Sequence, residues 1–223
     1  MILGIDASGP GLAVGLVEDT PSPRVLADWY WLRPRTAGSH LALWVEELSR
    51  EFGRPDALAV GIGPGSFTGV RIAVTAAKVL AWAWRVPLQG VSSLSAWAYG
   101  APVGRKVLVT SERRGSSFYG GYYIREEDGP RPLMPDFPVD GALPAPFPVA
   151  ESVAVIGALA DDPTWLVQVS ARAYGLTNVP LLGSAVARLA DFSVPTDAMQ
   201  LAPAYLKSPG LRAPGPGHGS GDQ

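Results

Sequence analysis

The sequence predicts an α/β fold, and three observations carry the prediction. The first 32 residues read as closely spaced strands. Two helical patterns follow with a short apolar strand between them, and from about Lys106 the strand-strand pattern returns. At 223 residues the chain can fold as one large domain or two small lobes, with a sufficient core either way.

The strands at the start are MILGID, then GLAVGLVE after a Ser-Gly-Pro-Gly turn, then RVLADWYWL after Thr20-Pro-Ser-Pro. Short turns between them predict an antiparallel meander. Ser39 is placed to cap a helix over 40–52, because Leu41, Trp44, Val45, Leu48 and Phe52 recur at helical spacing while Glu46, Glu47, Arg50 and Glu51 form its wet side. Gly53 and Pro55 end that helix. ALAVGIG is then a buried strand running through GPGSFTG into a second helix over 68–85. On this helix Arg71, Lys78 and Arg85 lie seven apart and share one narrow stripe, at about 100° per residue. Almost everything else on it is apolar, so it must be covered on more than one side. One reading makes it a central core helix; the other gives one side to the sheet and one to a partner.

From Lys106, KVLVTSE and SSFYGGYYI read as a hairpin like the opening one and suggest a duplicated architecture. Pro and Gly crowd 129–148, which predicts an irregular connection. SVAVIGAL and TWLVQVS read as further strands, and 181–192 carries helical spacing. The expected division is a first lobe over 1–100, a second over 101–207, and a disordered tail over 208–223 with too little to bury.

Composition excludes several classes of function. No cysteine is present, so a disulfide framework, a thiolate zinc site and a cysteine nucleophile are ruled out, which fits a reducing cytoplasm. MILGID has no basic flank and Asp6 interrupts its apolar run, so it is expected to be a strand rather than a signal sequence. No uncharged apolar window reaches the length of about 20 residues that crosses a bilayer, and no membrane contact is expected. A net charge of −2 lacks the basic excess of a protein that grips nucleic acid alone, so direct tRNA binding is not expected. Charged residues are only 17%, against about 25% in an average soluble domain, which suggests surface covered by another protein.

Two segments invite a phosphate-binding reading. Gly63-Pro64-Gly65-Ser66-Phe67-Thr68-Gly69 stands between strand and helix, where exposed N–H groups favour an anion. It has no Walker lysine and does not match GxGxxG; the alternative is a tight turn in which Gly63 and Gly65 take unusual backbone angles and Ser66 or Thr68 caps the helix. Asp6 followed by Ser8, Gly9 and Gly11 resembles the first phosphate turn of the sugar kinase, Hsp70 and actin superfamily; the alternative is an Asx-type hairpin turn. His40 and His218 cannot build a metal site or a serine triad, and His40 is expected to cap or pack. No metal and no catalytic residue is expected.

The order MILGIDAS, SH opening an amphipathic helix, GPGSFTGVRI running into an alanine-rich helix, GVSSL, and PAYLK at 203–207 resembles the TsaB family, also called YeaZ. The resemblance implies a two-lobe, actin-like (ribonuclease H-like) fold and a non-catalytic subunit of the bacterial machinery that places threonylcarbamoyl on adenosine 37 of certain tRNAs. It implies TsaD, the iron-bearing transferase, as partner, docked on two helices of the first lobe, with the ATPase TsaE joining. A homodimer is expected when the protein is alone, and a nucleotide only at the junction with the partner. The partner-binding residues expected on this basis are Leu41, Trp44, Leu48, Val70, Val74, Ala77, Lys78 and Ala81. Relatives carry an acid where Ser111 stands here, which argues against residual kinase activity. A small-molecule kinase or hydrolase using Asp6 and the glycine turns is the alternative.

Overall fold

A computed structural model describes residues 1–32, 37–113, 115–144, 151–194 and 196–206. Apolar runs that alternate with turns build two mixed sheets of five strands each. The first contains β1 (Ile2–Asp6), β2 (Leu12–Val17), β3 (Val25–Trp31), β4 (Ala57–Gly61) and β5 (Leu88–Val91), in the order β3-β2-β1-β4-β5. β1, β2 and β3 form the antiparallel meander, while β4 runs parallel to β1 and β5 parallel to β4. The second contains β6 (Lys106–Thr110), β7 (Ser117–Glu126), β8 (Gly129–Asp140), β9 (Val153–Gly157) and β10 (Tyr174–Leu176), in the order β10-β9-β6-β7-β8. Its three leading strands are again an antiparallel meander, with β9 parallel to β6 and β10 parallel to β9. Each sheet thus repeats one topology, the duplicated α/β architecture of two lobes.

Helices α1 (Ala37–Phe52) and α2 (Phe67–Trp84) cover one face of the first sheet. Both match the predicted spacing; α1 starts two residues before Ser39, and Ser66 caps α2 with its hydroxyl accepting from Gly69 N–H at 3.3 Å. β1, β2 and β4 are buried along their whole length because α5 (Gly183–Leu189) covers the opposite face. The approach is backbone to backbone: a Cβ on Gly15 would stand 2.2 Å from the Ser184 nitrogen. Asp28 on β3 accepts from Gly183 N–H at 3.0 Å and so caps α5 from another strand. α3 (Ser93–Ala98) lies where the lobes meet, with Leu94 and Ala98 in the core of the second sheet and Ala96 in that of the first.

Three expectations are corrected. The stretch from 129 is a twelve-residue strand, β8, through residue 140. Four prolines are tolerated because β8 is the edge of its sheet, where no outer neighbour needs their missing N–H groups. Residues 145–148 of that expected connection lie outside the described residues, as does the expected tail over 208–223. TWLVQVS belongs to α4 (Pro163–Val169), not to a strand. Asp162 accepts from Thr164 and Trp165 N–H and Pro163 occupies the first helical turn, a start signal that outweighs the β-branched residues behind it. Finally, α5 and the segment 196–206 return to the first lobe, since Leu181, Ala185 and Val186 pack with Ile2, Ala13 and Ala59. The chain after 181 therefore cannot be assigned to the second lobe by sequence order.

Candidate protein-docking site

The Asp6 turn is closed by the chain itself. Asp6 ends β1 fully buried; its Oδ1 accepts from Ser8 N–H at 2.6 Å and its Oδ2 from the Ser93 hydroxyl at 2.5 Å. Ser93 Oγ in turn accepts from Gly63 N–H at 3.0 Å. Burial pushes the Asp6 carboxyl above its ordinary value, with hydrogen bonds from Ser93 and Ser8 opposing. The loop 63–69 lies directly on this turn. Ser66 N–H donates to Ser8 O at 2.6 Å, and a Cβ would come within 2.4 Å of Ser8 O at Gly65, 1.8 Å of Ala7 O at Gly69 and 1.6 Å of Asp6 Oδ2 at Gly61. The Asp6 turn and the glycine loop are therefore packed backbone against backbone.

Of the two readings of the glycine loop, the tight turn describes the structure, with one amendment. Gly63 takes a left-handed backbone, φ +88°, but Gly65 does not; its lack of a side chain serves the approach to Ser8. Gly9 is open on its Cβ side, and Gly11 lies against Trp31 O. Pro64 is buried, Thr68 is exposed and leaves the capping to Ser66. Ser111 is buried just after β6 and closes the hairpin, accepting from Tyr119 N–H at 2.9 Å. Between it and Gly65-Ser66 remains a cavity of about 70 Å³, against the roughly 300–1,000 Å³ of small-molecule pockets.

The α1–α2 layer turns most of the expected docking residues inward. Leu41 and Leu48 on α1, and Val70, Val74, Ala77 and Ala81 on α2, are buried in the first lobe's own core. The sheet beneath consumes the stripes with the strongest helical spacing, because burial there removes most apolar area from water. Trp44 is half-buried and meets Trp29 edge to face at 5.5 Å, while His40 stacks on Trp31 at 4.8 Å, the packing role expected of it.

What remains outside is a second apolar face. Leu43 on α1 is 60% exposed, and Val79 and Trp82 on α2 are 57% and 76% exposed. Between the helices runs an open groove of about 840 Å³, floored by Ala42, Val45, Ile72, Ala76, Val79 and Leu80 and rimmed by Glu46, Ser49, Arg54 and Arg71. The signal was in the sequence: Ile72, Thr75, Val79 and Trp82 follow a 3-4-3 spacing on the side of α2 opposite Val70, Val74, Ala77 and Ala81.

The polar stripe of α2 engages the C-terminal segment, with Arg71 also at the rim of the groove. Lys78 donates to Met199 O at 2.9 Å, and Arg71 Nε donates to the Tyr205 hydroxyl at 3.0 Å while lying 3.8 Å over the Phe67 ring. Ala204 N–H donates to Ile62 O at 2.8 Å. The returning C-terminal segment is therefore strapped along α2, and PAYLK is joined to GPGSFTGVRI through Tyr205 and Arg71.

Comparison with known proteins meets this geometry. The family model for TsaD, tRNA N6-adenosine threonylcarbamoyltransferase, matches residues 40–128, the stretch that holds α1 and α2. The Escherichia coli tRNA threonylcarbamoyladenosine biosynthesis protein TsaB is 33% identical over 135 residues, 57% of each chain. The Bacillus subtilis TsaB is 32% identical over 131 residues, 56% of each chain. YeaZ from Pseudomonas aeruginosa superposes with a TM-score of 0.74 at 26% identity, covering 92% of this chain and 99% of that one. In sequence and in fold the chain is thus similar to TsaB (YeaZ) proteins. Its two sheets with flanking helices share the fold of YeaZ, consistent with an α/β, two-lobe, actin-like and ribonuclease H-like architecture. The matched stretch spans little more than half the length of the curated relatives. Among the described residues no cluster of His, Cys, Asp and Glu could hold a metal, and no helix is long and apolar enough to cross a membrane.

Proposed function

We propose that this protein is a non-catalytic subunit of the tRNA threonylcarbamoyladenosine pathway, and that it acts by docking TsaD on the outward face of α1 and α2. The observation that carries the reading is the pairing of a filled Asp6 turn with an open apolar groove in the same lobe. A partner's helices laid along Leu43, Ile72, Val79 and Trp82 would complete a helical layer and remove an apolar patch that a lone monomer leaves in water. The similarity to the Escherichia coli and Bacillus subtilis threonylcarbamoyladenosine biosynthesis proteins suggests the pathway. TsaE would join the assembled pair, and a nucleotide, where one binds, would sit at the junction with TsaD because the Asp6 turn has no room. Without TsaD, two copies can cover the same patch by two-fold pairing. The net charge of −2 supports leaving tRNA contact to the partner, and the absence of cysteine suits the cytoplasm.

The test is the mass of the protein by light scattering, alone and mixed with TsaD, for the parent and for Leu43→Asp with Val79→Asp. The parent should form a homodimer alone and a heteromer when mixed. The exposed substitutions should leave the fold intact and abolish both; a double variant that still joins TsaD at parental affinity contradicts the assignment.

A further inference from the structure

A second concave site lies apart from the groove, where the lobes meet. Its volume is about 550 Å³, inside the range of small-ligand pockets. The walls are mainly apolar: Pro10 and Tyr30 come from the first lobe, Trp97 from α3, and Ala158, Leu176 and Val179 from the second lobe. Trp97 is fixed, because its indole N–H donates to Val179 O at 2.8 Å and the ring cannot swing aside without losing that bond.

The polar lining has one sign. Glu112 and Asp161 border the cleft, both exposed, with Thr177 and Asn178 as neutral partners, and no lysine or arginine lines it among the described residues. The nearest cation in sequence, Arg113, turns its guanidinium to Asp162 at 3.5 Å. Tyr30 reports the resulting field: burial pushes its phenol up, and the carboxylates of Glu112 and Asp6 push it further. A triphosphate entering here would bring negative charge against carboxylates with nothing to neutralise it. An ammonium or guanidinium group would meet two carboxylates and two aromatic side chains, both of which can attract a cation in a partly dry site.

We propose that this interlobe cleft binds a small organic cation of the amine or guanidinium type, between Tyr30 and Trp97 and against Glu112 and Asp161, and that it is selective against nucleotides. The proposal is independent of TsaD docking, which uses the other side of the first lobe. The same chemistry is offered by a free polyamine-like molecule and by an arginine side chain, and two probes separate them.

The experiment is titration calorimetry on the full chain with agmatine, N-acetyl-arginine amide, adenosine and ATP. Agmatine or the arginine amide should bind with a Kd below 1 mM, on the order expected for a small, partly screened cation site, and weaken as salt rises. The tighter of the two identifies the source. Glu112→Gln with Asp161→Asn should weaken that binding at least tenfold with an unchanged Tm. Glu46→Gln with Glu47→Gln, the same change in net charge on α1, should leave it unaltered. The proposal is overturned if neither cation binds at 10 mM, if ATP or adenosine binds as well as the cations, or if the two double variants behave alike.

Discussion

The first lobe contains two places that invite a ligand, and they are opposites. At the Asp6 turn, motif-like residues (an acid, a serine and glycines in series) enclose no space: Gly61, Gly65 and Gly69 are glycines because protein atoms stand where a side chain would begin. At the α1–α2 groove, residues that read as ordinary core, such as Ile72 and Val79, are left without cover. A motif marks chemistry only where volume accompanies it, and an apolar pattern marks core only up to the area that a sheet can cover.

That contrast can be broken most forcefully from the inward side of α2. Ala77→Arg places a charge where Ala77 is fully buried, and should cost about 3–5 kcal/mol, the range for a buried charge without its partner. Urea unfolding should show an unfolded or barely stable protein. A folded variant that merely failed to bind TsaD would restore Ala77 to the interface.

Gly61→Ala examines the closed turn. The new methyl would stand 1.6 Å from Asp6 Oδ2, so overpacking should cost about 1–3 kcal/mol in the same assay, with the groove unaffected. A neutral result would mean that the turn has slack enough for a ligand.

Trp82→Ala probes the open side. At 76% exposure the ring adds little to the monomer, and stability should stay within about 0.5 kcal/mol. Its loss from a desolvated interface should weaken association with TsaD by about 2 kcal/mol, measured by calorimetry. Equal affinity for the two proteins would move the docking face elsewhere.

The subtlest expectation concerns pH. Because the folded Asp6 carboxyl titrates above the unfolded one, the native state holds the extra proton between those two values, and stability falls as pH rises from about 3.8 through the folded value. Asp6→Asn removes this term while its amide oxygen can still accept from Ser8 N–H. The stability difference, variant minus parent, should therefore grow across that window and then level. A difference independent of pH would mean that Asp6 is not buried as a carboxyl.

Much of the fold was legible because it follows local rules. The meander, both long helices and their boundaries within three residues came from apolar spacing and caps, and the returning strand pattern announced the second sheet. β8 was hidden because proline is a breaker in general and acceptable on an edge, a property of position in a sheet rather than of the segment. α4 was misread although Asp162-Pro163 was visible, since Val167 and Val169 were weighted above the cap. The return of 181–206 to the first lobe is a long-range packing choice, made by Asp28 with α5 and by Arg71 with Tyr205, and no local signal encodes it. The outward apolar face was legible as a helix pair but not as a side: periodicity gives the angle between two stripes, and the sheet decides which one is inside.

Oxidative footprinting of Trp82 reads directly whether the outward side of α2 meets TsaD, as proposed. In a purified complex Trp82 should be protected at least severalfold relative to the monomer, while Tyr205 on the C-terminal strap keeps its labelling. A complex that forms with Trp82 as reactive as in the free protein would contradict the central claim.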